Sequence, residues 1–242
     1  MKYTIISVSS KREESKRAIR QELSAHEEIT EVQFCGPADD KIGRMKDYGL
    51  DFDDSYWHPE TGELGIWLST YACWQWCVDN DEPLRYFEDD AIIKPGFDDW
   101  YNGLFEPDFT QEPLTPDAIS LIVPFNQYND FTLQYFKSNA MMTYPDGAPD
   151  NLVGYKKICR AYQGYCNVAM ELYPAGAAKL IDAAHRYGIY TPIDCFIFEQ
   201  AQDDVRRRNP TRLNVLTPKP EFATGVDVDW NAETHIHGSG LA

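Results

Sequence analysis

The stretch Leu84-Arg85-Tyr86-Phe87-Glu88-Asp89-Asp90-Ala91-Ile92-Ile93 decides how the 242-residue chain is read. Apolar and aromatic residues run straight into three consecutive carboxylates, and apolar residues resume at once. A buried strand can end this way if something compensates the acids, because carboxylates at the edge of a core repel one another and resist desolvation. A divalent cation bridging to a phosphorylated ligand would supply that compensation. In isolation, an acidic triplet among 39 acidic residues reads first as a solvated strand end ahead of Pro95-Gly96. Its company in the sequence changes that weighting.

Upstream of the triplet, Lys2 to Val8 is rich in β-branched and aromatic residues and predicts a first strand. Ser9 or Ser10 can cap a charged helix from about Lys11 to His26, with Ala18, Ile19 and Leu23 as its apolar stripe. Glu31 to Cys35 predicts a second strand, closed by Gly36-Pro37. Strand, helix, strand at this spacing predicts a βαβ unit and a parallel sheet. Residues 36–61 read as acidic loop with at most a short helix. Gly62 to Asn80 then has Leu64, Leu68, Tyr71, Ala72 and Trp76 at helical spacing.

Downstream, residues 98–117 predict a short helix and loop, and Ala118 to Val123 a buried strand. Residues 124–157 carry a weak pattern, as in a substrate loop or edge hairpin. Gln163 to Leu172 predicts a strand. Helices follow at Pro174 to Ala184 and from Thr191-Pro192-Ile193-Asp194. From Val215 the chain reads as a tail with Pro218, Pro220 and Gly225. The expectation is one α/β domain over residues 1–242, a mostly parallel sheet flanked by helices. Residues 1–123 form its first half and 124–242 its second.

The composition narrows the function. A formal net charge of −17 argues against a nucleic-acid binder with a large basic face. One basic cluster exists, Arg206-Arg207-Arg208 with Arg212 and Lys219, and it reads as a helix C-terminus or as an anion site. The six cysteines have no zinc or thioredoxin spacing, and Cys73 and Cys77, four apart, read as helix packing. With no signal peptide and no apolar run long enough to span a bilayer, the expected setting is cytoplasmic.

Gly62-Glu63-Leu64-Gly65-Ile66-Trp67-Leu68-Ser69, followed by Glu88-Asp89-Asp90-Ala91, resembles the lipopolysaccharide-type glycosyltransferases, a family that includes the collagen galactosyltransferases. Their signature is a G-E-[IL]-G-C-x-L-S-H helix before a strand ending in L-E-D-D. Pro174-Ala175-Gly176-Ala177-Ala178-Lys179-Leu180 is similar to the family's P-x-G-A-x-K-L segment, and Pro192-Ile193-Asp194 to its P-[VI]-D motif. The matches keep the family's order across roughly residues 60–200, which is more specific than any one of them. Two positions depart: Ile66 stands at the usual Cys and Thr70 at the usual His.

The resemblance implies a GT-A-type fold and a metal-dependent transfer of a hexose, with inversion, from a UDP-sugar to an acceptor hydroxyl. Mn²⁺ or Mg²⁺ would neutralise the departing diphosphate. By analogy Asp90 is the first metal ligand and Glu88 the second. Asp89 points to the opposite face if the strand continues, and would join the donor contacts with Glu88 if it turns. His235, in His235-Ile236-His237-Gly238, resembles the H-x-x-G segment that completes such metal sites, and otherwise reads as an exposed tail residue. Asp227-Val228-Asp229 also spells D-x-D, but without a preceding apolar strand it reads as loop. Asp194 is the candidate general base, or a helix cap. Ser7, Val8, Ser9 and Arg12 follow the first strand and are the expected nucleoside and phosphate contacts. The acceptor is expected to be a cell-surface glycan or a phage-type hydroxymethylated base in DNA, for which the Arg206 to Lys219 cluster could track phosphates. The alternative is a non-catalytic carbohydrate- or nucleotide-binding protein on a degenerate transferase scaffold, motivated by Thr70.

Overall fold

The computed structural model describes residues 1–7, 12–26, 28–34, 36–52, 58–59, 61–110, 112–122, 142–143, 153–163, 168–201 and 212–229. The chain opens with β1 (Lys2–Ser7), α1 (Glu13–Glu22) and β2 (Ile29–Gln33), and β1 pairs in parallel with β2 as a βαβ unit requires. α2 (Ala38–Asp47) and α3 (Thr61–Asn80) lead to β3 (Leu84–Glu88) and β4 (Ala91–Ile93). α4 (Phe97–Leu104), β5 (Ala118–Ser120), β6 (Met142–Thr143), β7 (Ile158–Gln163) and β8 (Ala169–Leu172) follow. Then come α5 (Pro174–Tyr187), α6 (Ile193–Ala201), β9 (Val215–Pro218) and β10 (Val226–Val228).

Among the described residues, eight strands form one sheet in the order β2-β1-β3-β8-β5-β9-β7-β6. The pairings set β7 and β8 against the direction of the other six, so the sheet is mixed but runs mostly one way. Alternation along β1 and β3 feeds two cores. Ile6, Leu84 and Tyr86 pack with Trp67, Trp74 and Phe196 on the side of α3, α5 and α6. Tyr3, Ile5 and Phe87 pack with Ile19, Leu23, Phe97 and Leu104 on the side of α1 and α4. α3 is apolar nearly all round because it lies between the sheet and its neighbouring helices, with Leu64 through Tyr71 buried.

Three expectations need correction. Residues 36–61, read as loop with room for a short helix, contain the ten-residue α2, whose stripe of Met45 and the partly buried Ile42 is thin beside its charges. The single strand expected over Gln163 to Leu172 is instead the end of β7 and the separate β8. The presumed tail supplies β9, in the interior of the sheet, and β10, which pairs antiparallel with β4. The prolines at 218 and 220 suggested a tail, whereas Val215-Leu216-Thr217 and Val226-Asp227-Val228 carry strand propensity.

The P-x-G-A-x-K-L segment has a packing reason. A Cβ on Gly176 would stand 2.1 Å from the Asp117 carbonyl oxygen, so only glycine lets the first turn of α5 lie against the start of β5. Lys179 Nζ then donates to Asp117 Oδ2 at 2.6 Å, and the Asn214 backbone N–H donates to the same oxygen at 2.7 Å.

Candidate active site

β1 and β3 run in parallel and end at the same sheet edge, with Ile6 in register with Glu88. Parallel strands of α/β folds present ligand sites at their carboxyl ends. Beyond Glu88 the chain turns at Asp89-Asp90 and returns as β4. The turn sends the three carboxylates in different directions.

Asp89 goes inward. It is 1% exposed, accepts from Ser7 Oγ at 2.7 Å on Oδ2 and pairs with an Arg12 nitrogen at 2.6 Å on Oδ1. Ser7 and Arg12, expected as nucleoside and phosphate contacts, are seen here gripping the middle residue of the acidic turn. A buried carboxylate is tolerable only when paired and hydrogen-bonded in this way.

Glu88 lies on the α3 side with Leu84 and Tyr86, by strand alternation. Burial pushes its carboxyl well above the ordinary range, reinforced by Asp90, Asp194 and Asp89 and opposed by Arg12. Asp194 is thus brought to the same site from a point over a hundred residues away. It sits in the first turn of α6, where Oδ1 accepts from the Cys195 backbone N–H at 2.7 Å. The turn ahead of it is fixed by Trp67, whose indole N–H donates to the Thr191 carbonyl at 2.9 Å. The Trp67 ring is fully buried and packs edge-on against Phe196 at 5.0 Å. The Gly-Glu-Leu-Gly helix and the Pro-Ile-Asp motif are therefore physically joined through Trp67.

Asp90 stays at the turn, its side chain 14% exposed and 3.6 Å from Arg12. Its Oδ1 is buried and makes no hydrogen bond. Burial pushes its carboxyl up to about 6 against the pull of Arg12, and Asp89 and Asp229 add to the rise. Asp229 arrives on β10: Val228 is in register with Ala91, and the Asp229 backbone N–H donates to the Asp90 carbonyl at 2.8 Å. The D-x-D read as loop is thus half strand, and its last acid adjoins the first D-x-D. The two Val residues flanking Asp227 were the available signal.

The Arg12 guanidinium faces Asp89, Asp90 and Glu88, with Asp194 beside Glu88 and Asp229 beside Asp90. Hard carboxylate oxygens suit Mg²⁺ or Mn²⁺, and a cation would satisfy the buried Asp90 Oδ1, which has no hydrogen-bond partner. Among the described residues no three His, Cys, Asp or Glu side chains form a metal cage by themselves. A groove of about 630 Å³ opens beside the end of β2, lined by Gln33, Phe34, Asp39, Lys41 and Arg44 among others. Gln33 is in register with Ser7, so this groove lies two strands along the same edge from Asp89, not on the acidic turn itself.

Val8, Ser9, His235 and Arg206 to Arg208 lie outside the described residues. Thr70, at the family's usual His, is fully buried with an unpartnered hydroxyl, and Ile66 belongs to the core. Cys73 and Cys77 are buried, and their thiols are pushed up to about 12, largely by burial, as packing residues should be. No helix among the described residues is long and apolar enough to cross a membrane.

A family model described as glycosyltransferase family 25 (LPS biosynthesis protein) matches residues 5–197. No curated relative matches the chain. Among solved structures it is similar to mouse xyloside xylosyltransferase 1 in its apo form, at 13% identity and a TM-score of 0.32. That similarity covers 88% of this chain and 70% of that one.

Proposed function

The chain belongs to glycosyltransferase family 25, and we propose that it moves a hexose, with inversion, from a UDP-sugar to a hydroxyl of a cell-surface glycan, on a GT-A-type scaffold. The observation that carries this reading is that Asp90 and Asp194, from distant parts of the chain, both lie near enough to Glu88 at the end of β3 to raise its carboxyl. Cleaving a sugar–phosphate bond builds charge on the diphosphate, and inversion needs a base near the attacking hydroxyl. The edge offers acids for a cation and, separately, a carboxylate on a helix.

In this reading Asp90 holds a divalent cation, Mn²⁺ or Mg²⁺, with Glu88 beside it. The bound cation would neutralise charge on the donor diphosphate. Arg12, already 3.6 Å from Asp90, is placed to contact a phosphate next to the turn. Asp89 acts through Ser7 and Arg12 as the internal counter-ion that fixes the turn. The groove beside β2 is large enough for a nucleoside, which would run past Ser7 along the strand ends. Asp194 takes the proton of the acceptor hydroxyl, held in place by Trp67 through the Thr191 carbonyl.

The family description favours a glycan acceptor, and nothing among the described residues favours a DNA base. The test is a panel of nucleotide sugars with Mn²⁺, read by release of nucleoside diphosphate with and without a glycan acceptor. Transfer from a UDP-hexose is the expected result. Binding of nucleotide sugars without turnover on any acceptor would instead fit a non-catalytic binding protein.

A further inference from the structure

The second D-x-D deserves a function. We infer that Asp229, carried on β10, is the second protein carboxylate on the cation that Asp90 holds, and that the donor diphosphate supplies the remaining ligands. This rests on the metal-dependent reading above and names the residue that completes it.

The geometry is fixed by backbone. β10 pairs with β4 in the register Val226–Ile93, Asp227–Ile92, Val228–Ala91. One residue further, the Asp229 N–H donates to the carbonyl of Asp90 itself at 2.8 Å. The two residues are thus tied across the ladder whatever their side chains do. Asp227 and Asp229, two residues apart, share the face opposite the buried Val226 and Val228; Asp227 is paired with Lys94 at 3.4 Å, whereas Asp229 lies one residue past the strand, across from Asp90. A further anchor sits below: the Trp100 indole donates to the Phe222 carbonyl at 2.6 Å. A Cβ on Gly225 would stand 2.1 Å from the Trp100 ring, so glycine lets the start of β10 press against it. The ladder and the Trp100 packing thus hold the end of the strand so that Asp229 lies beside Asp90.

The small number of protein ligands has chemical meaning. Magnesium-like cations keep several waters and are held by one or two carboxylates plus substrate phosphates, not by all-protein cages. Two acids from two chain segments, with no third group among the described residues closing a cage, fit that pattern. Such a site binds metal weakly alone and tightly with a diphosphate. The diphosphate likewise binds weakly without metal, because the acids repel it.

The experiment is Mn²⁺ titration of the full chain by electron paramagnetic resonance, with and without inorganic pyrophosphate. Wild type should gain at least tenfold in Mn²⁺ affinity when pyrophosphate is present. Asp229→Asn should lose that gain, and Asp227→Asn should keep it. Asp229→Ala is a second variant, and far-UV circular dichroism checks that each folds. If Asp90→Asn loses the gain while both Asp229 variants keep it, or if Asp227→Asn loses it as fully as Asp229→Asn, Asp229 is not the second ligand. The metal-dependent reading would then still stand. If wild type shows no Mn²⁺ binding under either condition, that reading fails and takes this inference with it.

Discussion

Asp89 and Asp90 are chain neighbours with opposite environments, and this difference sets their predicted mutant behaviour. Asp89 has both oxygens engaged and is 1% exposed. Arg12→Ala strips one partner from a buried carboxylate, and breaking such a pair costs about 3 kcal/mol, to be read by urea unfolding. On the proposed reading Asp90 serves the ligand, so Asp90→Asn should leave stability largely intact yet lower kcat by about 10²- to 10³-fold, as loss of a group stabilising transition-state charge does. The pH dependence follows from the raised Asp90 carboxyl. Its folded value of about 6 exceeds the ordinary 3.8, so the folded state binds this proton more tightly than the unfolded chain. The metal-free protein therefore loses this contribution as pH rises from about 4 through 6. Metal needs the carboxylate, so Mn²⁺ affinity should fall below pH 6, by about tenfold per pH unit. Melting curves of metal-free and Mn²⁺-loaded protein between pH 5 and 8 check both signs. Asp90, Glu88 and Asp194 could be read from the order of motifs. Asp229 stands in a visible D-x-D, but its strand was not legible, because three residues carry too little periodicity to stand out beside Pro220 and Gly225.

At the level of elements, α3 links the family's motifs. Its Trp67 reaches the Thr191 carbonyl, and Phe196 packs on the ring. Trp67→Phe keeps most of the apolar volume and removes the N–H. Stability should drop by about 1 kcal/mol, the net worth of one hydrogen bond, while kcat falls more than nucleotide affinity because Asp194 is displaced. A drop in UDP affinity with unchanged kcat would place Trp67 elsewhere in the mechanism. The helix itself was legible from its spacing. Its contact with the Pro-Ile-Asp turn was not, since a tryptophan in an apolar helix carries no sign of which carbonyl it will meet. β10 gives a second test at this scale. Gly225→Ala drives a methyl into the Trp100 ring, which should cost about 1–3 kcal/mol through overpacking, visible in the same unfolding experiment. It should also weaken pyrophosphate-dependent Mn²⁺ binding by shifting Asp229.

Across the whole molecule, the site is assembled from both halves of the chain. Ser7, Arg12 and Glu88 to Asp90 come from the first, and Asp194 and Asp229 from the second. The sheet does this by interleaving: β8 inserts between β3 and β5, and β9 lies beside β5, so late segments are built into the early layer. The βαβ start and the acidic strand end were readable because local propensity and burial agree there. The strand order was not, because pairing of β3 with β8 depends on partners some 80 residues apart. The central claim is that the acidic turn anchors a metal-bound donor diphosphate in a working transferase. It is tested most directly by UDP-hexose turnover before EDTA treatment, after it, and after Mn²⁺ is restored, in wild type and Asp90→Asn. The account predicts that EDTA abolishes turnover, that Mn²⁺ restores it in wild type, and that Asp90→Asn with Mn²⁺ stays about 10²- to 10³-fold below wild type. Turnover that survives both EDTA and Asp90→Asn would contradict it.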